Sequence, residues 1–248
     1  MSLFVLISGF GPPHYEHKLQ LLENNLEKIC SYKWTRLTIK ICQYVSSRHF
    51  HIPQALQEKY NLEVIYETGV VGEFIKRHAN PVRLAPYDYV LLLLDDVELL
   101  SIDFEKMIKY QQDLHLDILS PTMTSDSKYQ YPYMLQDTNT TPHLKLTAVC
   151  EYFCMFFPLR AFTLYYQHIT LDNPWMWGLD LVLHKHLGLK VALCNEFTMK
   201  HWYKSESYGM RPDVDPAAGF HRCIARYGET PTQLSEQKAI RYLVFIPS

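Results

Sequence analysis

Short apolar runs alternate with amphipathic stretches along the first half of the chain. Leucine and isoleucine recur at helical spacing over residues 15–30, opposite Glu and Lys, and this pattern predicts an amphipathic helix. A short helix is predicted after Gly72 through His78, and a third helix from its capping residue Asp103 to residue 116. Apolar or alternating runs predict strands over residues 3–8, 35–45, 62–66, 87–94 and 117–120.

The regular alternation of strand and helix predicts the fold class. It is typical of an α/β fold in which helices flank a mostly parallel central sheet. The run over residues 87–94 is the most hydrophobic, so we expect it at the centre. Ligands of such sheets bind at the carboxyl ends of the strands. Two stretches follow predicted strand ends and are candidates for a site: Ser8-Gly9-Phe10 and Asp95-Asp96.

The second half of the chain is less regular. Residues 121–145 are rich in Ser, Thr, Pro, Gln and Tyr, which predicts a long loop. A strand-like run over residues 148–157 is interrupted by Glu151, and a helix over residues 179–187 is closed by Gly188. Residues 190–201 predict the last strand region, and the polar stretch 203–235 predicts no regular element.

Composition narrows the function classes. The chain has 248 residues, 48% of them hydrophobic, and a formal net charge of -2. Acidic and basic residues are interspersed without a Lys/Arg stripe, which argues against nucleic-acid binding. Six cysteines without CxxC spacing are typical of free thiols in a reducing compartment. Because no apolar stretch approaches the ~18 residues of a membrane span, we expect a soluble, cytoplasmic protein.

The sequence LLLLDDVELL over residues 91–100 carries the most specific chemical signal. Asp95 and Asp96 follow an apolar run that is long enough to be a buried strand. Buried charges cost free energy unless a cation or hydrogen bonds meet them. Mg²⁺ and Mn²⁺ prefer such oxygen ligands and keep positions open for phosphate oxygens. The structural alternative is a pair of aspartates that cap a helix or form salt bridges in a turn.

A hydrophobic strand followed by Asp-Asp-Val resembles the metal-binding "DxD" region of GT-A glycosyltransferases. The resemblance implies a GT-A-like fold in which Asp96 binds the metal and Asp95 takes the middle position. The first acid of the family's pattern is Leu94 in this sequence, which is a departure from that pattern. Glu98, one residue beyond Val97, is the nearest acid that could compensate for it.

Three segments of the second half extend this resemblance. Glu151 begins an apolar run, a Trp-Gly-Leu-Asp segment ends at Asp180, and the last predicted strand ends at His201. Their order is similar to that in a plant and bacterial family of glycosyltransferase-like proteins and in soluble transferases of large algal viruses. The resemblance covers about residues 3–202. It implies that Asp180 is the general base and that His201 completes the metal site with Asp96.

Each of these residues also has a structural alternative. Asp180 could simply stabilise a helix N-terminus, and a lone histidine such as His201 is often structural. Glu151 is the rival general base, or a buried acid that pairs with Arg160 or another cation. No single motif is decisive, and the order of the motifs on an α/β pattern carries the interpretation.

The remaining donor contacts are expected in two glycine-containing loops. In a GT-A-like fold the loop with Ser8, Gly9 and Phe10 would lie near the nucleotide base. Gly69 would let the next loop approach the ribose or the diphosphate, with Arg77 supplying positive charge. Asp95 is assigned to nucleotide binding as well. Ordinary strand-to-helix turns are the structural alternative for both loops.

Together these features predict a single GT-A-like domain, with residues 1–120 as the nucleotide-binding half and 121–248 as the acceptor-binding half. The predicted reaction moves a sugar from a nucleoside diphosphate, UDP by resemblance, to a hydroxyl of a glycan or glycoprotein. We expect Mn²⁺ or Mg²⁺ as cofactor and an inverting displacement with Asp180 as base. The viral similarity implies glycosylation of a coat protein in the host cytoplasm. The rivals are a metal-dependent nucleotide phosphotransferase or pyrophosphatase, and a non-catalytic carbohydrate-binding protein.

Overall fold

The computed structural model describes residues 1–43, 51–128, 131–137, 143–203, 213–231 and 241–242. The strands in these ranges are β1 (Ser2–Phe10), β2 (Arg36–Gln43), β3 (Leu62–Tyr66), β4 (Tyr89–Leu94), β5 (Val97–Ser101), β6 (Ile118–Met123), β7 (Leu144–Thr147), β8 (Cys154–Pro158), β9 (Val191–His201) and β10 (Arg241–Tyr242). The helices are α1 (Tyr15–Ser31), α2 (Gln54–Tyr60), α3 (Val71–His78), α4 (Phe104–Leu114), α5 (Leu159–His168), α6 (Leu179–Val182) and α7 (Pro216–Arg226), with a 3-10 helix at Pro132–Met134.

All these strands belong to one mixed sheet in the order β10-β7-β9-β6-β8-β4-β1-β2-β3, with β5 on β9. Strands β3, β2, β1 and β4 are mutually parallel. Strand β8 is antiparallel to both of its neighbours, β4 and β6, so β6 and its parallel partner β9 run in the same direction as β4. Most strands therefore share one direction, and their carboxyl ends meet at one edge.

The elements of the first half form where the sequence predicts them. All nine residues of β1 are buried, as expected for a strand that lies between two parallel neighbours. Helix α4 begins after Asp103, whose carboxylate accepts a hydrogen bond from the Lys106 N–H at 3.1 Å. Helix α2 and strand β5 are additional elements that the periodicity did not indicate. The end of the predicted second strand, residues 44–45, lies outside the described residues.

The second half differs from the sequence prediction at several points. Strand β6 continues through Pro121, which pairs with Cys194 of β9, to Met123. Strand β8 begins only at Cys154, so Glu151 precedes the strand instead of interrupting it. Helix α6 ends at Val182 rather than near residue 187. Helix α7 lies inside the stretch 203–235, where Asp215 caps its first turn. Parts of the predicted loops 121–145 and 203–235 lie outside the described residues.

Helix α1 is fixed to the sheet by a buried amide. The Asn25 side chain donates to the carbonyl of Val97 at 2.7 Å and accepts from the N–H of Leu99 at 2.8 Å. These bonds satisfy backbone groups of β5 and set the position of α1 along the sheet edge. Within the described part of the chain, no helix is both long and apolar enough to cross a membrane.

Candidate functional site

The candidate site lies where β1 and β4 end. The N–H of Asp95 donates to the carbonyl of Ser8 at 3.2 Å, and the N–H of Leu94 donates to the carbonyl of Phe153 at 3.0 Å. Gly9 has a φ of 95°, which a residue with a side chain rarely adopts, and the register of β1 shifts at this point. The last residues of both strands therefore turn out of the sheet together and place Ser8, Asp95 and Phe153 side by side.

The cation that meets the aspartate pair is Lys18 of α1. Its Nζ lies 2.7 Å from Oδ2 of Asp95, and only 8% of the lysine is exposed. The turn after β4 lets Asp95 and Asp96 act on the same ammonium, although neighbouring strand residues would point to opposite faces. Asp95 therefore forms a salt bridge, which is the structural alternative for it, and the residue pattern of α1 did not indicate Lys18 as the partner.

Burial dominates the electrostatics of this edge. It raises the pKa of Asp95 to about 7, a shift that the charge of Lys18 opposes and that of Asp96 adds to. It raises the pKa of Asp96 to about 6, again against the effect of Lys18. Burial alone would lower the pKa of Lys18, but the charge and hydrogen bond of Asp95 outweigh it and the pKa is raised. The lysine thus remains charged.

Asp96 and His201 face each other across the end of β9. Oδ1 of Asp96 is 3.6 Å from Nε2 of His201, and this buried oxygen has no hydrogen-bond partner among the described residues. Burial lowers the pKa of His201 to about 4, with a further contribution from Lys18, so the imidazole is neutral at pH 7. A neutral imidazole and a carboxylate oxygen are suitable ligands for Mn²⁺. The pair fits the implied metal with two protein ligands, and the described residues contain no cluster of three or more acidic, His or Cys ligands.

Glu98 is occupied elsewhere. Its carboxylate accepts hydrogen bonds from Nε1 of Trp202 at 2.9 Å and from Nδ2 of Asn24 at 3.1 Å. It therefore links the end of β9 to α1. It does not take the place of the missing first acid at Leu94.

A second acidic pair consists of Glu151 and Asp180. Both side chains are buried, with 7% of Glu151 and 8% of Asp180 exposed. Burial raises the pKa of Glu151 well above its usual range, and the charge of Asp180 raises it further. The phenol of Tyr133 donates to Oε1 of Glu151 at 3.4 Å. Arg160, the cation considered as a partner for Glu151, pairs instead with Asp117 at 2.6 Å.

Aromatic rings connect the two acidic pairs. The Phe153 ring lies 4.6 Å from the ring of His201, measured between centroids, and 6.3 Å from the ring of Tyr131. Tyr131 in turn lies 5.5 Å from Tyr133, whose hydroxyl reaches Glu151. The predicted metal ligands and Glu151 are thus connected by the rings of Phe153, Tyr131 and Tyr133. We call this continuous set of side chains the common wall.

The other residues assigned to the nucleotide lie in different environments. The Phe10 ring is fully buried and packs edge-on against Tyr15 at 5.6 Å between centroids. Arg77 is half exposed and pairs with Glu67 at 2.9 Å. A Cβ at Gly69 would lie 3.2 Å from the Arg77 guanidinium, so the glycine and the arginine are neighbours. The nucleotide contacts of these residues stay a prediction.

The segment before α6 is held against the loop of Gly72. The Gly72 N–H donates to the carbonyl of Pro174 at 2.9 Å, and a Cβ at Gly72 would lie 2.7 Å from that same oxygen. Met176 adopts a φ of 61°, and Asn173 donates to the carbonyl of Trp177 at 2.9 Å. These contacts fix the turn that leads to Asp180, and only glycine fits at position 72.

Solved structures resemble the fold, although no protein-family model and no curated protein matches the sequence. S. aureus TarS in complex with UDP-GlcNAc has a TM-score of 0.57 and 13% identity over 90% of this chain and 64% of that chain. GalNAc-T7 with UDP, GalNAc and Mn²⁺ has a TM-score of 0.61 and 11% identity over 90% and 47%. The mannosyltransferase PcManGT from Pyrobaculum calidifontis, with GDP-Man and Mn²⁺, has a TM-score of 0.56 and 16% identity over 93% and 66%.

The match therefore spans less than two thirds of each of these three solved chains. At this level of identity the likeness shows a shared fold. The expected GT-A-like α/β architecture is confirmed.

Proposed function

We propose that this chain, with its GT-A-like fold, is a glycosyltransferase that moves a sugar from a nucleoside diphosphate to a hydroxyl of a glycan or glycoprotein. The observation that carries the proposal is the common wall described above. It links Asp96 and His201 at one end to Glu151 at the other through the rings of Phe153, Tyr131 and Tyr133. A transfer reaction needs these two chemical environments next to each other.

The Asp96 end of the wall suits the leaving group. Asp96 and His201 would hold a divalent cation, which supplies Lewis-acid stabilisation of a departing diphosphate when it is bound. Lys18 keeps Asp95 paired, so Asp96 is the carboxylate with an oxygen left for a ligand. Ser8 and Gly69 lie in the two loops that would receive the nucleoside, in the half formed by residues 1–120.

The Asp180 end of the wall suits the acceptor. An acceptor hydroxyl attacks the anomeric carbon, the bond from that carbon to the diphosphate oxygen breaks, and the bonding electrons leave with the diphosphate. Asp180 takes the hydroxyl proton as general base, a role that contributes roughly 10²–10⁴-fold in rate. An attack opposite the leaving group inverts the configuration, and inversion is the outcome that we propose.

UDP is the proposed carrier and Mn²⁺ or Mg²⁺ the proposed cofactor. Two of the structural neighbours contain UDP or UDP-GlcNAc and one contains GDP-Man, and two of the three contain Mn²⁺. These molecules belong to the neighbours and support the proposal for this chain by shared fold only. A screen of UDP- and GDP-sugars against glycan acceptors, read by mass shift, names the donor.

Binding calorimetry with UDP, in the presence and absence of Mn²⁺, tests the metal end of the site. Asp96→Ala should abolish the Mn²⁺-dependent part of UDP affinity. Glu98→Gln is the matched control, because Glu98 binds Trp202 and Asn24 and should leave that part intact. Equal Mn²⁺-dependent affinity in Asp96→Ala and the wild type would contradict the assignment of Asp96.

Two rival functions give different results in the same experiments. Hydrolysis of a nucleotide without an acceptor indicates a phosphotransferase or pyrophosphatase. Metal-dependent UDP binding without turnover of any donor indicates a carbohydrate-binding protein, for which Leu94 in place of the first acid is the best argument. Transfer of a sugar to an acceptor hydroxyl excludes both.

A further inference from the structure

The segment of residues 131–137 carries the two central rings of the common wall. The Tyr131 ring contacts the rings of Phe153 and Tyr133, at centroid distances of 6.3 and 5.5 Å. The Tyr133 hydroxyl reaches Oε1 of Glu151. Any shift of the segment therefore moves both tyrosines relative to Phe153 and Glu151, which lie just before β8.

Backbone pairing holds little of this segment. Residues 131–137 contain a 3-10 helix but no strand. Leu135 forms one isolated bridge with Met123 of β6, and the Gln136 N–H donates to the Met123 carbonyl at 2.8 Å. Side chains from neighbouring strands therefore have to supply other hydrogen bonds for the backbone of the segment.

Asn195 of β9 binds the end of the segment as a paired strand residue would. Its Oδ1 accepts from the Asp137 N–H at 2.8 Å, and its Nδ2 donates to the Asp137 carbonyl at 2.7 Å. The Asn195 carbonyl accepts a third bond, from Nε2 of Gln136 at 3.1 Å. One asparagine thus pairs with both backbone groups of Asp137, and only 9% of the asparagine is exposed.

A bulge in β9 makes Asn195 available for this contact. Between Cys194 and Thr198, residues 195–197 have no paired residue in the ladder with β6. Bulges redirect side chains and are common next to functional sites. The bulge therefore lets the Asn195 side chain pair with residues outside the ladder.

A buried lysine holds the same segment from β7. Nζ of Lys145 donates to the carbonyl of Leu135 at 2.6 Å, and only 3% of the lysine is exposed. Burial lowers the pKa of Lys145, an effect that the charge of Asp137 partly offsets. A buried amine costs free energy unless hydrogen bonds or charges meet it. Lys145 and Asn195 thus form a clamp of two side chains on residues 135–137.

We propose that Asn195 is a positioning residue for the acceptor: by holding Asp137 it fixes Tyr131 and Tyr133, and with them the part of the wall where the acceptor binds. The proposal rests on the proposed function. The metal end of the wall is held separately, through the contacts between α1 and the sheet edge. Loss of the clamp should therefore affect the acceptor and not the nucleotide.

Substitutions of Asn195 separate the acceptor from the donor. Asn195→Ala removes both side-chain bonds to Asp137, so we expect kcat/KM for the acceptor to fall about 10- to 100-fold, because a misplacement of about 1 Å can cost this much. Mn²⁺-dependent UDP affinity should stay within about twofold of the wild type, since the metal end has separate contacts. Asn195→Asp keeps the acceptor for the Asp137 N–H and loses the donor, so its kcat/KM should lie between the other two values.

Lys145→Met tests the clamp from its other side, and Asn80→Ala is the matched control. Lys145→Met removes the bond to Leu135, so it should lower kcat/KM for the acceptor and leave UDP affinity unchanged, as Asn195→Ala does. Oδ1 of Asn80 likewise accepts from a backbone N–H, that of Val82 at 2.9 Å, in the turn after α3. Asn80→Ala should change neither kcat/KM nor UDP affinity.

Hydrogen exchange detects the clamp without any turnover. Peptides that span residues 131–137 should exchange faster in Asn195→Ala than in the wild type, because the Asp137 N–H loses its acceptor. Peptides from β1 and β4 should exchange alike in both proteins, which shows that the sheet is folded. Exchange over residues 131–137 should be unchanged in Asn80→Ala.

Each contrary outcome has a definite meaning. Unchanged exchange over residues 131–137 in Asn195→Ala, or faster exchange with an unchanged kcat/KM for the acceptor, overturns the role of Asn195 and leaves the glycosyltransferase proposal standing. An equal loss of UDP affinity does the same, because Asn195 would then stabilise the whole site. A wild-type protein that transfers no sugar from any nucleotide donor overturns the proposed function, and the role of Asn195 in acceptor binding with it.

Discussion

The Lys18 ammonium lies 2.7 Å from the Asp95 carboxylate, and both groups are buried at the edge of the sheet. Removing two charges from water costs several kcal/mol per ion, and their attraction offsets that cost only while both partners are present. The aspartate pair that follows the central strand is therefore stable because α1 brings a cation to it.

Lys18→Met should destabilise the protein by about 1–3 kcal/mol, because it leaves Asp95 buried without its counter-ion, and the carboxyl, whose pKa is already about 7, is then protonated. The double variant Lys18→Met/Asp95→Asn should recover most of this loss, since it removes both charges and keeps similar volumes. Urea unfolding of the two variants and the wild type at pH 7.5 measures the difference. A single variant as stable as the wild type would show that the ion pair contributes nothing.

The buried imidazole of His201 should make stability depend on pH in a defined direction. Its pKa in the folded protein is about 4, below the usual 6.5, so the unfolded chain binds the proton first. The corresponding stabilisation is complete above pH 6.5 and is lost as the pH falls through 4. From pH 7.5 to pH 5, the free energy of unfolding of the wild type relative to His201→Gln should fall by about 2 kcal/mol.

Chemical unfolding in the presence of a chelator checks this prediction, because bound metal would add its own pH dependence. The raised pKa values of Asp95 and Asp96 act in the opposite direction. They are common to both proteins and largely cancel in the difference. A difference that stays constant from pH 7.5 to pH 5 would mean that His201 titrates normally.

Gly72→Ala should destabilise the protein by about 1–3 kcal/mol, because a Cβ there overlaps the carbonyl of Pro174 and the backbone must move. The shift would also displace the turn that carries Asp180, so kcat should fall more than UDP affinity. Thermal melting and steady-state kinetics measure the two effects.

Gly11→Ala is the matched control, since a Cβ at Gly11 would meet no atom within 4 Å. Its free energy of unfolding should lie within about 0.5 kcal/mol of the wild-type value. If both alanine variants melt alike, the contact between Gly72 and Pro174 does not constrain the turn.

The sequence predicted the features that depend on local periodicity. The apolar runs defined β1, β3 and β4, and the apolar stripe of α1 gave that helix almost to the residue. Asp96 and His201, which the sequence indicated as metal ligands, lie 3.6 Å apart, whereas their ligand roles and the role of Asp180 stay predictions. The predictions of the elements succeeded because strand burial and helix amphipathicity are visible in the order of residue types.

Features that depend on contacts distant in sequence were missed. Lys18 occupies the same face of α1 as Leu22 and Leu26, at i, i+4 and i+8, and a lysine in an apolar stripe was the available signal. The burial of both Glu151 and Asp180 had no such signal, because 28 residues, with β8 and α5 among them, lie between the two. Helix α7 has several polar residues and was taken for irregular chain, although Asp215 and Pro216 form a helix start.

The reversed direction of β8 has a consequence for how the two acidic pairs keep their spacing. Because β8 starts at the edge where β4 finishes, Cys154 lies about one strand spacing, roughly 5 Å, from its partner Leu93, and Glu151 lies three residues before Cys154. The ladder between β4 and β8 thus fixes where the segment that carries Glu151 arrives relative to the turn of Asp95 and Asp96. Substitutions at the protein surface around this edge can change which molecules bind there without changing the relative position of these two strand ends.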